Sequence, residues 1–90
     1  MNRIELTRAI AQRAGLEEKQ AAAALEALTA AIREGLDAGE KIALTGFGTF
    51  EVRTRAARQS RNPRTGEAVA VPEKRVPAFK AGKALRDAVL

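Results

Sequence analysis

Ninety residues make one domain at most, and a chain of that size buries only about 60–65% of its unfolded surface, so a core of its own is marginal. It contains no cysteine and no histidine, which excludes disulfides, thiolate and imidazole metal sites, and the usual proton shuttle near neutral pH. The net charge of +5 lies wholly in the second half: residues 1–45 hold six Lys/Arg and seven Asp/Glu, residues 46–90 ten and four.

The first half predicts two helices. Asn2 and Glu5 have capping-box spacing, Leu6, Ile10 and Ala14 follow a helical period with Ala9 beside them, and Gly15 supplies the stop. A second helix is expected from Glu17 or Glu18 to about Ala38, ended by Gly39. Its residues Leu25, Leu28, Ile32 and Leu36 make one apolar stripe. The alanines at 21–24, 27, 30 and 31 keep its surface thin enough for another helix to approach closely. That stripe is either an ordinary core face or a surface shared with a second chain; periodicity does not separate the two. The marginal size of one copy favours a shared core.

The period then changes. Ile42 and Leu44 alternate with Lys41 and Ala43, and after the turn Thr45-Gly46-Phe47-Gly48, Phe50 and Val52 alternate with Thr49, Glu51 and Arg53. This predicts a hairpin with one buried face. Ala68–Val71 predicts a returning strand ended by Pro72, with a further strand around Arg75–Phe79. A short helix is expected from about Gly82, its apolar face formed by Leu85, Ala88 and Val89.

Between these strands lies RTRAARQSRNPR, with Arg53, Arg55, Arg58, Arg61 and Arg64 in twelve residues and no acid among them. Its conformation is open on propensity alone. It fits a helix with Arg55, Arg58 and Arg61 on one stripe, an extended arm, or a segment disordered until it meets a partner. The β-rich flanks favour a two-stranded ribbon turning between Pro63 and Gly66. A one-signed field of this kind draws polyanions, and the planar guanidinium suits phosphate and a narrow minor groove. Only Gln59 and Asn62 on the arm carry amides suited to reading adenine, so binding by charge and shape is expected over base readout. No aromatic residue lies in the basic segment, so duplex is favoured over stacked single strands. Pro63 at the tip is a turn former or an apolar wedge for a base step.

Other classes fit less well. A catalytic site would have to be built from carboxylates spread mostly over helix faces, so no enzyme activity and no cofactor are expected. No apolar run approaches the roughly 20 residues of a spanning helix. The basic segment is not an amphipathic helix suited to a membrane surface. The start, MNRIELTRAI, is polar within two residues, so no signal peptide and a cytoplasmic chain are expected.

Four stretches, NRIELTRAIAQRAGL, LTGFGTF at 44–50, SRNPRTGE at 60–67 and VPAFKAGKALRDAV at 76–89, together resemble the bacterial histone-like HU family over nearly the whole chain. The resemblance implies an α+β intertwined homodimer. Its parts are an α-helical base, a three-stranded antiparallel β-sheet saddle per subunit, two extended β-ribbon arms and a short C-terminal helix. It implies a single domain, with 1–39 the helical dimerisation region, 40–54 and 68–80 the sheet, 55–74 the DNA-binding arm, and 82–90 the C-terminal helix. It further implies a non-enzymatic architectural protein of the nucleoid that bends and compacts duplex DNA through the minor groove, favouring bent or nicked forms. In such minor-groove proteins, this family among them, an inserted side chain kinks the duplex.

By that resemblance Arg53, Arg55, Arg58, Arg61 and Arg64 line the arm, Pro63 is the wedge and Asn62 sits beside it. Lys80, Lys83 and Arg86 meet phosphates near the final helix, Arg3 meets DNA further along the body, and Gly46 offers exposed backbone amides. Leu25, Leu28, Ile32, Leu36, Phe47, Phe50 and Phe79 form the dimer core. Glu51, Glu67 and Glu73 depart from the pattern by placing acids on or near the DNA-facing half, which bears on affinity and site length. Glu17 stands where a Ser/Thr cap is common. Two alternatives stay open: a sequence-preferring bender like integration host factor, whose members often extend beyond the last helix, and an RNA-binding protein, RNA being a second candidate partner.

Overall fold

Asn2 starts the first helix. Its side-chain oxygen accepts from the Glu5 amide at 2.9 Å, and α1 runs Arg3–Ala14 until Gly15 turns left-handed. The second helix, α2, spans Glu18–Asp37. Glu17 does not cap it with its own side chain; the Gln20 side chain reaches back and accepts from the Glu17 amide at 3.1 Å. That is the reciprocal half of a capping box, and it explains how the helix begins sharply without Ser or Thr.

The computed structural model describes all residues from Met1 to Leu90 and divides them into two units, 1–34 and 35–90. In the first, α1 and the body of α2 run antiparallel, linked on the outside by Arg3–Glu26 at 3.8 Å and Arg8–Glu18 at 3.5 Å. Both pairs are exposed and contribute at most about 1 kcal/mol each. The buried hydrophobic residues of the chain are Ala11 of α1 with Ala21 and Leu25 of α2. Two of the three are alanines, so the surface removed from water is small. Leu28, one helical turn on from Leu25, stays 47% exposed.

The second unit is built on a three-stranded antiparallel sheet, ordered β1 (Ile42–Leu44), β2 (Gly48–Arg55), β5 (Lys74–Ala81). The register pairs Ile42 with Phe50 and Phe50 with Phe79. Alternation therefore puts Ile42, Leu44, Phe50, Val52, Pro77 and Phe79 on one face. The Phe79 ring lies 4.8 Å from Phe50 and 5.5 Å from Phe47, tilted against both. Gly48 makes this close approach feasible: a Cβ there would stand 2.5 Å from Phe79 Cζ and 2.6 Å from the Lys80 carbonyl oxygen.

Two devices join this sheet to its helical ends. Arg75, on the apolar side of β5, donates from one terminal nitrogen to the carbonyls of Leu36 and Asp37 at 3.3 Å each. It thus satisfies acceptors that the end of α2 leaves open. The Gly82 amide donates to the Phe47 carbonyl at 2.8 Å, and α3 (Lys83–Val89) follows. The expected apolar face of α3 is only partly formed. Leu85 is half-buried, but Ala88 is exposed and Val89 is 82% exposed, because the last turn of α3 is open to solvent.

The basic segment is a ribbon, not a helix. β3 (Arg58–Arg61) pairs antiparallel with β4 (Ala68–Val71) as a separate two-stranded sheet. Arg55 pairs with Lys74 and Arg58 with Val71, so the register carries through from β2–β5 into β3–β4. The ladder breaks at Ala56-Ala57 and Pro72-Glu73, where Pro72 has no N–H to give.

Candidate nucleic-acid interface

The sheet face opposite the phenylalanines is polar. By register it holds Thr49, Glu51, Arg53 and Arg55 from β2, with Lys74 and Lys80 from β5 at its two ends and Val76 and Ala78 between them. Lys41, just before β1, falls on the same side, its Nζ 3.8 Å from Glu51 Oε2. One face thus carries the apolar side chains and the other offers five cations around a single acid.

The ribbon extends this arrangement. Strand alternation sends Arg58 and Ser60 to one side and Gln59 and Arg61 to the other, each opposite Val or Ala of β4. Every residue of β3 is exposed, and a two-stranded ribbon without a core is marginal by itself in water. At its root a concavity of about 520 Å³ is lined by Arg55, Arg58 and Lys74 with Ala56, Val71 and Pro72, and by no acid.

The tip is closed by Asn62. Its backbone amide donates to the Glu67 carbonyl at 2.9 Å and its carbonyl accepts from Gly66 at 2.8 Å. Its side-chain oxygen accepts from the Arg64 amide at 2.9 Å. Gly66 takes φ 72, which a side chain would disfavour. Pro63 sits inside this loop, where a missing N–H costs nothing, and its ring is exposed. An apolar ring is held at the far end of a cationic arm.

The sequence-derived candidates separate by element. Arg58, Arg61, Asn62, Pro63 and Arg64 lie on the ribbon or its tip; Arg53, Arg55 and Lys80 lie on the polar sheet face instead. Lys83 and Arg86 are three apart on α3, Gly46 is exposed in the β1–β2 turn, and Arg3 opens α1. Of the core candidates, Leu25 is buried, Ile32, Leu36 and Phe50 are half-buried, and Leu28, Phe47 and Phe79 are exposed within one chain. Sequence reasoning missed Lys41 and Lys74. Lys41 carried a signal, since its parity is opposite to Ile42 and Leu44; Lys74 is placed only by its pairing with Arg55.

A helical hairpin, a three-stranded sheet with one cationic face, and an arginine-bearing ribbon with a proline at its tip define an α+β protein with a basic β-arm. The family model described as bacterial DNA-binding protein matches residues 1–90. The DNA-binding protein HU of Geobacillus stearothermophilus is 54% identical over 89 residues, and that of Staphylococcus aureus strain COL is 53% identical over 89, each covering 99% of both chains. An Anabaena HU–DNA cocrystal structure superposes with a TM-score of 0.88 at 48% identity, covering 99% of this chain and 97% of that one. The chain belongs to the bacterial DNA-binding protein family that includes HU.

Proposed function

We propose that two copies of this chain pair to form a non-enzymatic, histone-like architectural protein that binds duplex DNA with little sequence preference, bends it and compacts the bacterial nucleoid. The observation that carries this reading is the ribbon: an exposed strand pair with guanidinium groups on both sides and a proline at its tip. A two-stranded ribbon fits a groove. Arginine on both of its sides suits a minor groove, whose walls are phosphate-lined on either hand. Pro63 unstacks one base step, at a cost of a few kcal/mol that the extra contacts of bent DNA offset.

In this reading Arg58, Arg61 and Arg64 grip the groove with Asn62 beside the wedge. Arg53, Arg55 and Lys80 meet phosphates over the sheet, and Lys83, Arg86 and Arg3 meet DNA that continues along the flanks. The Gly46 turn donates amides. The cocrystal of the Anabaena relative with DNA supports DNA as the partner. Pairing is supported by the apolar surface that one chain leaves uncovered: Leu28, Phe47 and Phe79 remain 47%, 45% and 41% exposed. A second copy covering them supplies the core that a chain this short lacks. No feature of the arm favours RNA or a fixed base sequence.

The test is affinity against salt and against competitors. Log affinity should fall with log salt by about 0.9 for each phosphate neutralised. Nicked duplex should compete better than intact duplex, and structured RNA worst. A flat salt response, or RNA competing as well as duplex, contradicts the reading.

A further inference from the structure

Glu51 is the single acid on the cationic sheet face, among Lys41, Arg53, Arg55, Lys74 and Lys80. It is also the most sheltered member of its ion-pair cluster. Its side chain is 19% exposed, against 60% for Arg53 and 74% for Lys41. Its Oε1 accepts from both Nε and Nη2 of Arg53, each at 3.2 Å, while Oε2 faces Lys41. One carboxylate thus engages two of the five cations.

The Nε–Nη2 edge of a guanidinium is the same fork that takes a phosphate. Glu51 therefore already occupies on Arg53 the edge that DNA would use. We propose that Glu51 is an internal competitor for phosphate that lowers the affinity of the sheet face and shallows its salt response. The proposal deepens the duplex-binding reading above and rests on it.

When duplex settles on the sheet, Arg53 and Lys41 exchange one anion for another, so their contribution is a difference between two similar interactions and not a full ion pair. The released carboxylate then stands among phosphates, and at this separation like charges repel. Arg55, Lys74 and Lys80 make no ion pair on this face, and they keep their full effect. The sheet thus binds less tightly than its five cations suggest, and the arms carry a larger share of the grip.

Two substitutions separate competition from its opposite, in which Glu51 would pre-orient Arg53 for DNA. Glu51→Gln removes the charge and keeps the shape and an acceptor oxygen; Glu51→Ala removes the contact altogether. Both should tighten binding to a short duplex at low salt, by roughly two- to fivefold, the scale of an exposed ion pair. Both should steepen the log–log salt slope by about 0.9 for each cation set free. Arg53→Gln should cost more affinity in the Glu51→Gln background than in the unmodified chain. Unchanged or weaker binding by Glu51→Gln, or an equal Arg53 effect in both backgrounds, overturns the proposal. So does weakening by Glu51→Ala alone, which would show pre-orientation. Failure of the unmodified chain to bind duplex would overturn the duplex reading and this proposal together, whereas intact binding with a silent Glu51 would overturn only the latter.

Discussion

Arg75 belongs to the basic half of the chain by sequence, yet its guanidinium is directed to the last carbonyls of α2. Arg53, one position along the register from the Thr54 that Arg75 pairs with, carries the same group on the opposite face and holds it against Glu51. Equal side chains thus take different tasks because strand alternation sends them to different faces. Replacing Arg75 with alanine leaves two helix-end acceptors without that donor and should lower unfolding free energy by about 1 kcal/mol. Urea titration measures this. Duplex affinity should change far less than for the same change at Arg58, because Arg75 lies on the apolar side of the sheet. A large affinity loss at unchanged stability would contradict the assignment.

Elements that depend on local pattern were legible in the sequence; those that depend on pairing were less so. Asn2, Gly15 and Gly39 mark helix ends through backbone chemistry, and the structure places α1 and α2 within a residue or so of those marks. The hairpin alternation at 42–52 likewise carried its own parity. The arginine segment did not, because Arg55, Arg58 and Arg61 fit a helical stripe as well as a strand. Only the partner strand at 68–71 decides for the ribbon and sends Arg58 and Arg61 to opposite sides. The Glu51–Arg53–Lys41 cluster was equally hidden, since it requires Lys41 to stand beside β2. Gly48 reads as a turn glycine in sequence, while the structure gives it a packing role under Phe79. Gly48→Ala should therefore destabilise by about 1–3 kcal/mol through overpacking, seen as a lower thermal midpoint. An unchanged midpoint would mean that the phenylalanine cluster yields freely.

At the scale of the whole molecule, one chain buries two alanines and one leucine as its apolar core, too little to offset the conformational entropy of ninety ordered residues. Folding and pairing should therefore be one process. The unfolding midpoint should rise with protein concentration, as linkage requires when association stabilises the native state; a midpoint independent of concentration would speak for a self-sufficient monomer. In the proposed pair, two ribbons hold one duplex at two points, and a kink at each adds into a bend. The most direct measurement is energy transfer between dyes on the two ends of a short duplex, taken with the unmodified chain and with Pro63→Ala. Transfer should rise on binding, and rise much less for Pro63→Ala at concentrations where it is still bound. Ends that draw no closer while the unmodified protein occupies the duplex would contradict the proposed bending.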